Sequence, residues 1–255
     1  MKIVVVGGTG LIGGRLVENL REAGHEVIAA SPSNGINSVT GEGLAEAFAG
    51  ADIVYDIPNS PSWADADVLE FFQKSTGNIV AEAKKAGVKH HIVLSIVGVD
   101  RTPDIGYMRA KVAQEELAKS GGVPFTIVRA TQFFEFIPAL VAGGTEDGVA
   151  TLSPVLMQPI AAADVSAALA KVANREPKND TVELAGPEAI RLSELGGRLL
   201  RSRGDDTPVV ADEAAGYYGG KVDDTSLTPG HDPAITEHFS GSLTFDEWLA
   251  AQFWE

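Results

Sequence analysis

A continuous apolar run, Lys2–Val6, leads directly into Gly7-Gly8-Thr9-Gly10-Leu11-Ile12-Gly13, and an amphipathic segment follows without a break. No other stretch of the chain constrains the fold as tightly. A strand with no polar alternation is buried on both faces, as in a parallel sheet covered by helices. Leu11, Leu16, Val17 and Leu20 then recur at helical spacing until Gly24 ends the pattern. The glycines at 7, 10 and 13 are spaced GxxGxxG. Gly7 permits a tight turn off the strand, Gly10 a close approach of backbone to a pyrophosphate, and Gly13 close packing of the helix on the sheet. The helix N-terminus adds unpaired N–H donors and a partial positive charge. The expected ligand is a dinucleotide, held by the backbone of Gly7, Thr9, Gly10, Leu11, Ile12 and Gly13. A glycine turn that merely packs a helix is the alternative.

The alternation continues. Strands are expected at 26–30, 53–57, 92–96 and 125–128, and helices at 11–23, 44–48, 66–86 and 107–119, the third of these bent near Thr76-Gly77. A βαβ series with short links implies an α/β fold, a Rossmann-type doubly wound parallel sheet. After residue 130 the pattern loosens. Helices are expected at 133–141, 164–173, 193–203 and 245–253, with short strands at 149–152, 155–158 and 182–184. The reading is a dinucleotide-binding core over 1–130 and a small C-terminal substrate lobe over 131–255, which returns elements to the core as one integrated unit. Residues 203–235, rich in Gly, Asp and Pro, are the least regular.

Charge narrows the function classes. The chain has 20 Lys+Arg against 35 Asp+Glu, a net charge of −15, and eleven of those acids with a single base, Lys221, fall in 205–255. Such a chain repels nucleic-acid backbones and anionic lipid. No apolar stretch approaches the ~20 residues of a membrane helix, and the N-terminus lacks the pattern of a signal peptide. There is no cysteine, so disulfides and thiolate chemistry are excluded. His90 and His91 open a strand, so their rings point to opposite faces and cannot chelate together. The expectation is a cytoplasmic protein acting on a small molecule, with no metal and with neither nucleic acid nor membrane as partner. Oligomeric state stays open. The acidic tail disfavours anionic substrates if it caps the pocket.

Cofactor choice turns on the end of the second strand, where NAD enzymes usually place an acid for the ribose 2′-hydroxyl. This chain has Ser31-Pro32-Ser33-Asn34 there, and no acid before Glu42. The missing carboxylate removes repulsion against a 2′-phosphate, to which Ser31, Ser33 and Asn34 offer neutral hydrogen bonds. Arg15 is the nearest candidate cation. NADP(H) is favoured over NAD(H). Asn59, Ser60 and Trp63 follow the third strand and either border the cofactor or substrate or form an ordinary loop.

Tyr107 and Lys111 lie four residues apart on one helical face. A Tyr hydroxyl is a reluctant acid–base at neutral pH, and a neighbouring ammonium lowers its pKa. Lys111 is also placed to hold the nicotinamide ribose. Ser95, at the carboxyl end of the fourth strand, is the expected anchor for a substrate carbonyl. Alternatively, Ser95 caps a strand, Tyr107 is a half-buried helix residue and Lys111 is solvated. Tyr217 and Lys221 repeat the spacing, but two glycines and a turn-rich setting mark that copy as chance. Past the fifth strand, Gln132, Phe133 and Phe136 are expected to line an apolar substrate pocket with one polar anchor, or else the phenylalanines seal the lobe junction.

The set Gly7, Gly10, Gly13, Ser95, Tyr107 and Lys111 resembles the short-chain dehydrogenase/reductase superfamily. The segments 6–13 (VGGTGLIG), 91–98 (HIVLSIVG), 126–135 (TIVRATQFFE), 158–165 (QPIAAADV) and 182–188 (VELAGPE) are similar to its atypical, NmrA-like branch. The resemblance covers about 1–200. It implies hydride transfer between NAD(P)H and a carbonyl or conjugated group, with Tyr107 as acid, Lys111 as its support and Ser95 as substrate anchor. Two features depart from it: no Arg follows the second strand, and Thr40-Gly41-Glu42 replaces a Gly-Asp pair. Some members of the branch lack the Tyr and act as redox sensors. A sensor without turnover is therefore the alternative function, and an isomerase or epimerase ranks behind it.

Overall fold

The structure is a computed structural model and describes residues 1–252. Its first half alternates strictly: β1 (Lys2–Val6), α1 (Leu11–Glu22), β2 (Glu26–Ala30), α2 (Leu44–Phe48), β3 (Ile53–Asp56), α3 (Asp65–Ala86), β4 (His90–Ile96), α4 (Gly106–Ser120) and β5 (Phe125–Ala130). The second half holds α5 (Ile137–Gly143), β6 (Thr145–Glu146), β7 (Val149–Leu152), β8 (Leu156–Met157), α6 (Ala162–Val172) and β9 (Asp180–Ala185). It continues with β10 (Ile190–Arg191), α7 (Leu192–Ser202), β11 (Val209–Ala211), β12 (His238–Ser240) and α8 (Phe245–Ala251).

Seven strands form one parallel sheet in the order β12-β9-β5-β4-β3-β1-β2. The unbroken Val/Ile run of β1 has its reason here. Ile3 and Val5 pack against α1 and α6 on one face, and Val4 and Val6 against the layer of α2 and α3 on the other. Tyr55 extends from β3 to donate to the Leu169 carbonyl at 2.7 Å, which ties α6 to the sheet. The remaining strands make two small sheets, β6-β7-β11 and β8-β10. Around them Phe134, Leu152, Leu195, Phe245 and Trp248 share a core with Ile105 and Met108 at the start of α4. Among the described residues no helix is long and apolar enough to cross a membrane.

The topology fixes where a ligand fits. After β2 the chain crosses back over β1 and lays β3 on the other side. That reversal opens a crevice at the carboxyl ends of β1 and β3, the place where open α/β sheets bind ligands. The glycine turn leaves β1 at this point, and residues 57–63 leave β3 beside it.

Several boundaries differ from expectation. β4 begins at His90, α3 runs unbroken through Gly77, and 133–141 divides into a 3-10 turn, Phe134–Phe136, and α5. The last helix is observed to Ala251, and its expected end at Phe253 lies outside the described residues. β12 was not anticipated. It is three residues long at the sheet edge, with only Phe239 packed on the core, so it carries no periodicity to detect.

Candidate active site

The glycine turn is dictated by its neighbours. Gly7 has φ +84°, and a Cβ there would lie 2.8 Å from Pro58 at the exit of β3. At Gly13 a Cβ would lie 2.1 Å from the Gly7 carbonyl oxygen. The first turn of α1 therefore closes on the glycine turn itself rather than on the sheet. A Cβ at Gly10 would meet only that same oxygen, at 3.4 Å, leaving its outer side open. Gly8, which spacing did not single out, is also required: a Cβ there would lie 2.8 Å from Ala29 of β2. Gly10 caps α1 with no side-chain bond, so the first N–H groups are left for a ligand. Thr9 and Leu11 are exposed beside them, whereas the Ile12 side chain is in the core and only its main chain faces the turn.

At the end of β2 the Ser31 and Ser33 hydroxyls lie 2.8 Å apart. Asn34 departs from expectation. Its Oδ1 accepts from the Ser31 N–H at 3.0 Å and its Nδ2 donates to the Ala29 carbonyl, so both ends of the amide hold the turn together.

Ser95, Tyr107 and Lys111 are not brought to one point. Tyr107 donates its hydroxyl to Asn59 Oδ1 at 2.8 Å, next to the Pro58 that abuts Gly7. Lys111 turns inward. It donates to the Leu94 carbonyl at 2.7 Å and to Gln114 Oε1, with its ammonium 4.6 Å from the centre of the Phe72 ring. Phe72 also meets Tyr107 edge-on at 5.9 Å. Burial brings the Lys111 pKa down to about 8, against the opposing pull of Asp56 and Glu115. Burial, and Tyr218 nearby, raise the Tyr107 hydroxyl well above its usual value. The expected lowering of that pKa by Lys111 is thus replaced by its opposite, and burial favours the protonated hydroxyl. Ser95 requires correction as well. Its hydroxyl donates to Glu115 Oε1 at 2.6 Å, because the buried Glu115–Arg129 pair beneath α4 claims it.

Beneath Lys111 lies a polar layer that motif reading missed. Gln114 Nε2 donates to Asp56 Oδ1 at 3.1 Å, Thr76 donates to Asp56 Oδ2 at 2.7 Å, and His91 Nε2 lies 3.6 Å from the same carboxylate. His90 bonds to Thr126 on the adjacent strand, so the two rings do diverge.

Past β5, Thr131 Oγ1 and both polar atoms of the Gln132 amide are buried without a partner. Phe133 and Phe136 stack at 5.5 Å as a separate aromatic pair, while Phe134 enters the lobe core.

The C-terminal segment supplies a neighbour that the sequence did not reveal. Tyr217 and Gly220 exchange two backbone hydrogen bonds of 2.9 Å, closing a two-residue turn. That turn sets Tyr218 parallel to Trp63, with centroids 6.1 Å apart, and Trp63 lies 5.4 Å from Tyr107. The Tyr217…Lys221 spacing has no helical meaning, yet its segment borders the site. Asp223 and Asp224 are committed elsewhere. Asp223 caps the turn at Thr225 and Ser226, and Asp224 accepts from Leu156 N–H and pairs with Arg191.

The open glycine cradle, the uncapped α1 N-terminus and the unpartnered polar atoms of Thr131 and Gln132 fit a bound dinucleotide. Residues 7–176 match a family described as NAD(P)H-binding. Divinyl chlorophyllide a 8-vinyl-reductase of Arabidopsis thaliana is 27% identical over 247 residues, 80% of this chain and 58% of its own length. The NmrA-like family domain-containing oxidoreductase flvB of Aspergillus flavus is 27% identical over 169 residues, 60% of this chain and 54% of its own length. The chain thus spans little more than half of these curated relatives, and 46% of another, a photosystem II assembly factor Ycf39. Among solved structures, the NADPH-dependent quinone oxidoreductase QOR2 of Escherichia coli, complexed with NADPH, superimposes with a TM-score of 0.71 at 21% identity, covering 98% of this chain and 99% of that one. The protein belongs to the NAD(P)H-binding family.

Proposed function

We propose that the protein is an NADPH-dependent oxidoreductase that reduces a small, largely apolar carbonyl or quinone-type substrate. One observation carries this reading: a protonated Tyr107 hydroxyl sits between Asn59 and an aromatic wall, one residue from the proline against which Gly7 turns. When bound, the cofactor supplies the hydride. The chain supplies the rest. The glycine turn and the α1 N-terminus hold the pyrophosphate, and Ser31 and Ser33 meet the 2′-phosphate with no carboxylate opposing it. Tyr107 delivers a proton to the substrate oxygen, and Lys111 keeps a positive charge beneath the site. Thr131 and Gln132 bond polar atoms of the bound ligands. The net charge of −15 favours small molecules over nucleic acid or anionic membrane as partners, and a cytoplasmic location is part of the same reading.

The test is oxidation of NADPH and of NADH by the full chain with a panel of quinones and enones. NADPH is the preferred donor, and Tyr107→Phe lowers kcat by about 100-fold or more, the usual weight of a positioned acid. Full turnover by that variant with every substrate would remove Tyr107 from the chemistry, and faster use of NADH would overturn the cofactor assignment. The engagement of Ser95 by Glu115 favours a second reading, an NADP(H) redox sensor. It predicts tight NADPH binding with no turnover across the same panel.

A further inference from the structure

Two aromatic side chains at the crevice are left largely open to solvent although they pack on one another. Trp63 is 63% exposed and Tyr218 is 54% exposed, yet their rings lie within 8° of parallel. Tyr218 is also held against its backbone preference. It has φ +47° and the following Gly219 φ +78°, so both central residues of the turn are left-handed. Hairpin turns of this kind take Asn or Gly at the first position, and a tyrosine there is strained. The fold nonetheless fixes the turn in place. A Cβ on Gly220 would lie 2.4 Å from Ile105, two residues before Tyr107, and a Cβ on Gly216 would lie 2.7 Å from the Gly220 carbonyl. Tyr217 is buried and meets Tyr218 edge-on at 4.7 Å. Downstream, Arg101 donates to the carbonyls of Thr225 and Thr228 at 3.0 and 2.9 Å. The backbone thus gains nothing from a ring at 218, while the surrounding chain orients that ring firmly over the site. Strain kept at an exposed position beside a crevice points to a ligand contact.

We propose that Trp63 and Tyr218 form a stacking clamp that selects planar, uncharged, fused-ring substrates, with Tyr218 as the specificity-determining residue. The clamp rests on the reading of the site as a quinone or carbonyl reductase and names the substrate class. A two-ring quinone offers more flat surface to stack on this aromatic pair, which adjoins Tyr107. A one-ring quinone offers less. Aromatic stacking is directional and additive to simple burial, so the ring at 218 acts chiefly on affinity.

The test compares the full chain with Tyr218→Asn, which suits the left-handed turn, and Tyr218→Phe, which keeps the ring. Binding of menadione, a two-ring quinone, is measured by calorimetry at saturating NADP⁺, beside kcat/KM for menadione and for 1,4-benzoquinone. Tyr218→Asn is expected to weaken menadione binding by roughly three- to tenfold and to lower the menadione-to-benzoquinone ratio of kcat/KM by a similar factor. Its Tm should equal or exceed that of the parent, because the strain is relieved. Tyr218→Phe should retain the parent's affinity and ratio. Undiminished menadione binding by Tyr218→Asn overturns the clamp, as does an absence of menadione binding by the parent. If the parent binds menadione in a ring-dependent way but reduces no quinone, the clamp stands and the reductase reading falls.

Discussion

Lys111 shows how much a single position depends on what lies beneath it. A lysine one turn beyond a tyrosine reads in sequence as an activating cation. In the structure the ammonium is drawn into the layer of Leu94, Gln114 and Asp56, and burial lowers its pKa to about 8. Between pH 8 and the ordinary lysine value of 10.5, the unfolded chain holds this proton and the folded chain does not. Stability contributed by this group therefore rises with pH across that window, by at most about 3 kcal/mol. Urea unfolding at pH 7.5 and pH 10 should show the rise in the parent, and Lys111→Met should lose it. Activity should move the other way. As Lys111 loses its charge above pH 8, kcat/KM should fall, and a pH profile that stays flat to pH 10 would separate Lys111 from the chemistry.

Among the elements, α4 is held by an ionic joint that no motif announces. Glu115 on α4 takes a bidentate pair from Arg129 on β5, at 2.9 and 2.8 Å, and Arg129 reaches on to Asp100 at 2.8 Å. Both Glu115 and Arg129 are buried. Removing one partner leaves an uncompensated buried charge, so Arg129→Met should destabilise the protein by about 3–5 kcal/mol, and adding Glu115→Leu should recover most of the loss. Chemical denaturation of the single and double variants checks this. A loss under about 1 kcal/mol would mean that water solvates Glu115. The joint also accounts for Ser95: one residue cannot both bond a buried carboxylate and face the crevice. The strands and helices of the first half were legible because periodicity is a local property. The partner of Ser95 was not, because Arg129 and Glu115 meet only when α4 lies across β4 and β5.

For the whole molecule, the decisive feature is the path of the described C-terminal residues, 205–252. They return to the core, add β12 to the sheet and bring Tyr218 to the crevice. Arg101 is one of its ties, through two carbonyls of the segment. Arg101→Ala should weaken that attachment by about 1–3 kcal/mol. Hydrogen exchange should quicken around 225–230 while β1, β3 and β4 stay protected, and equal quickening throughout would show that the tail is integral to the core rather than tied to it. The sequence by itself determined the parallel sheet, the glycine turn and the dinucleotide site, because a doubly buried strand and a turn that excludes Cβ atoms are properties of neighbouring residues. Only the tertiary structure decided which side chains share the crevice. Tyr107 meets Asn59, Trp63 and Tyr218 rather than Ser95 and Lys111, since burial, crossover topology and the return of a distant segment are set by packing between residues far apart in the chain.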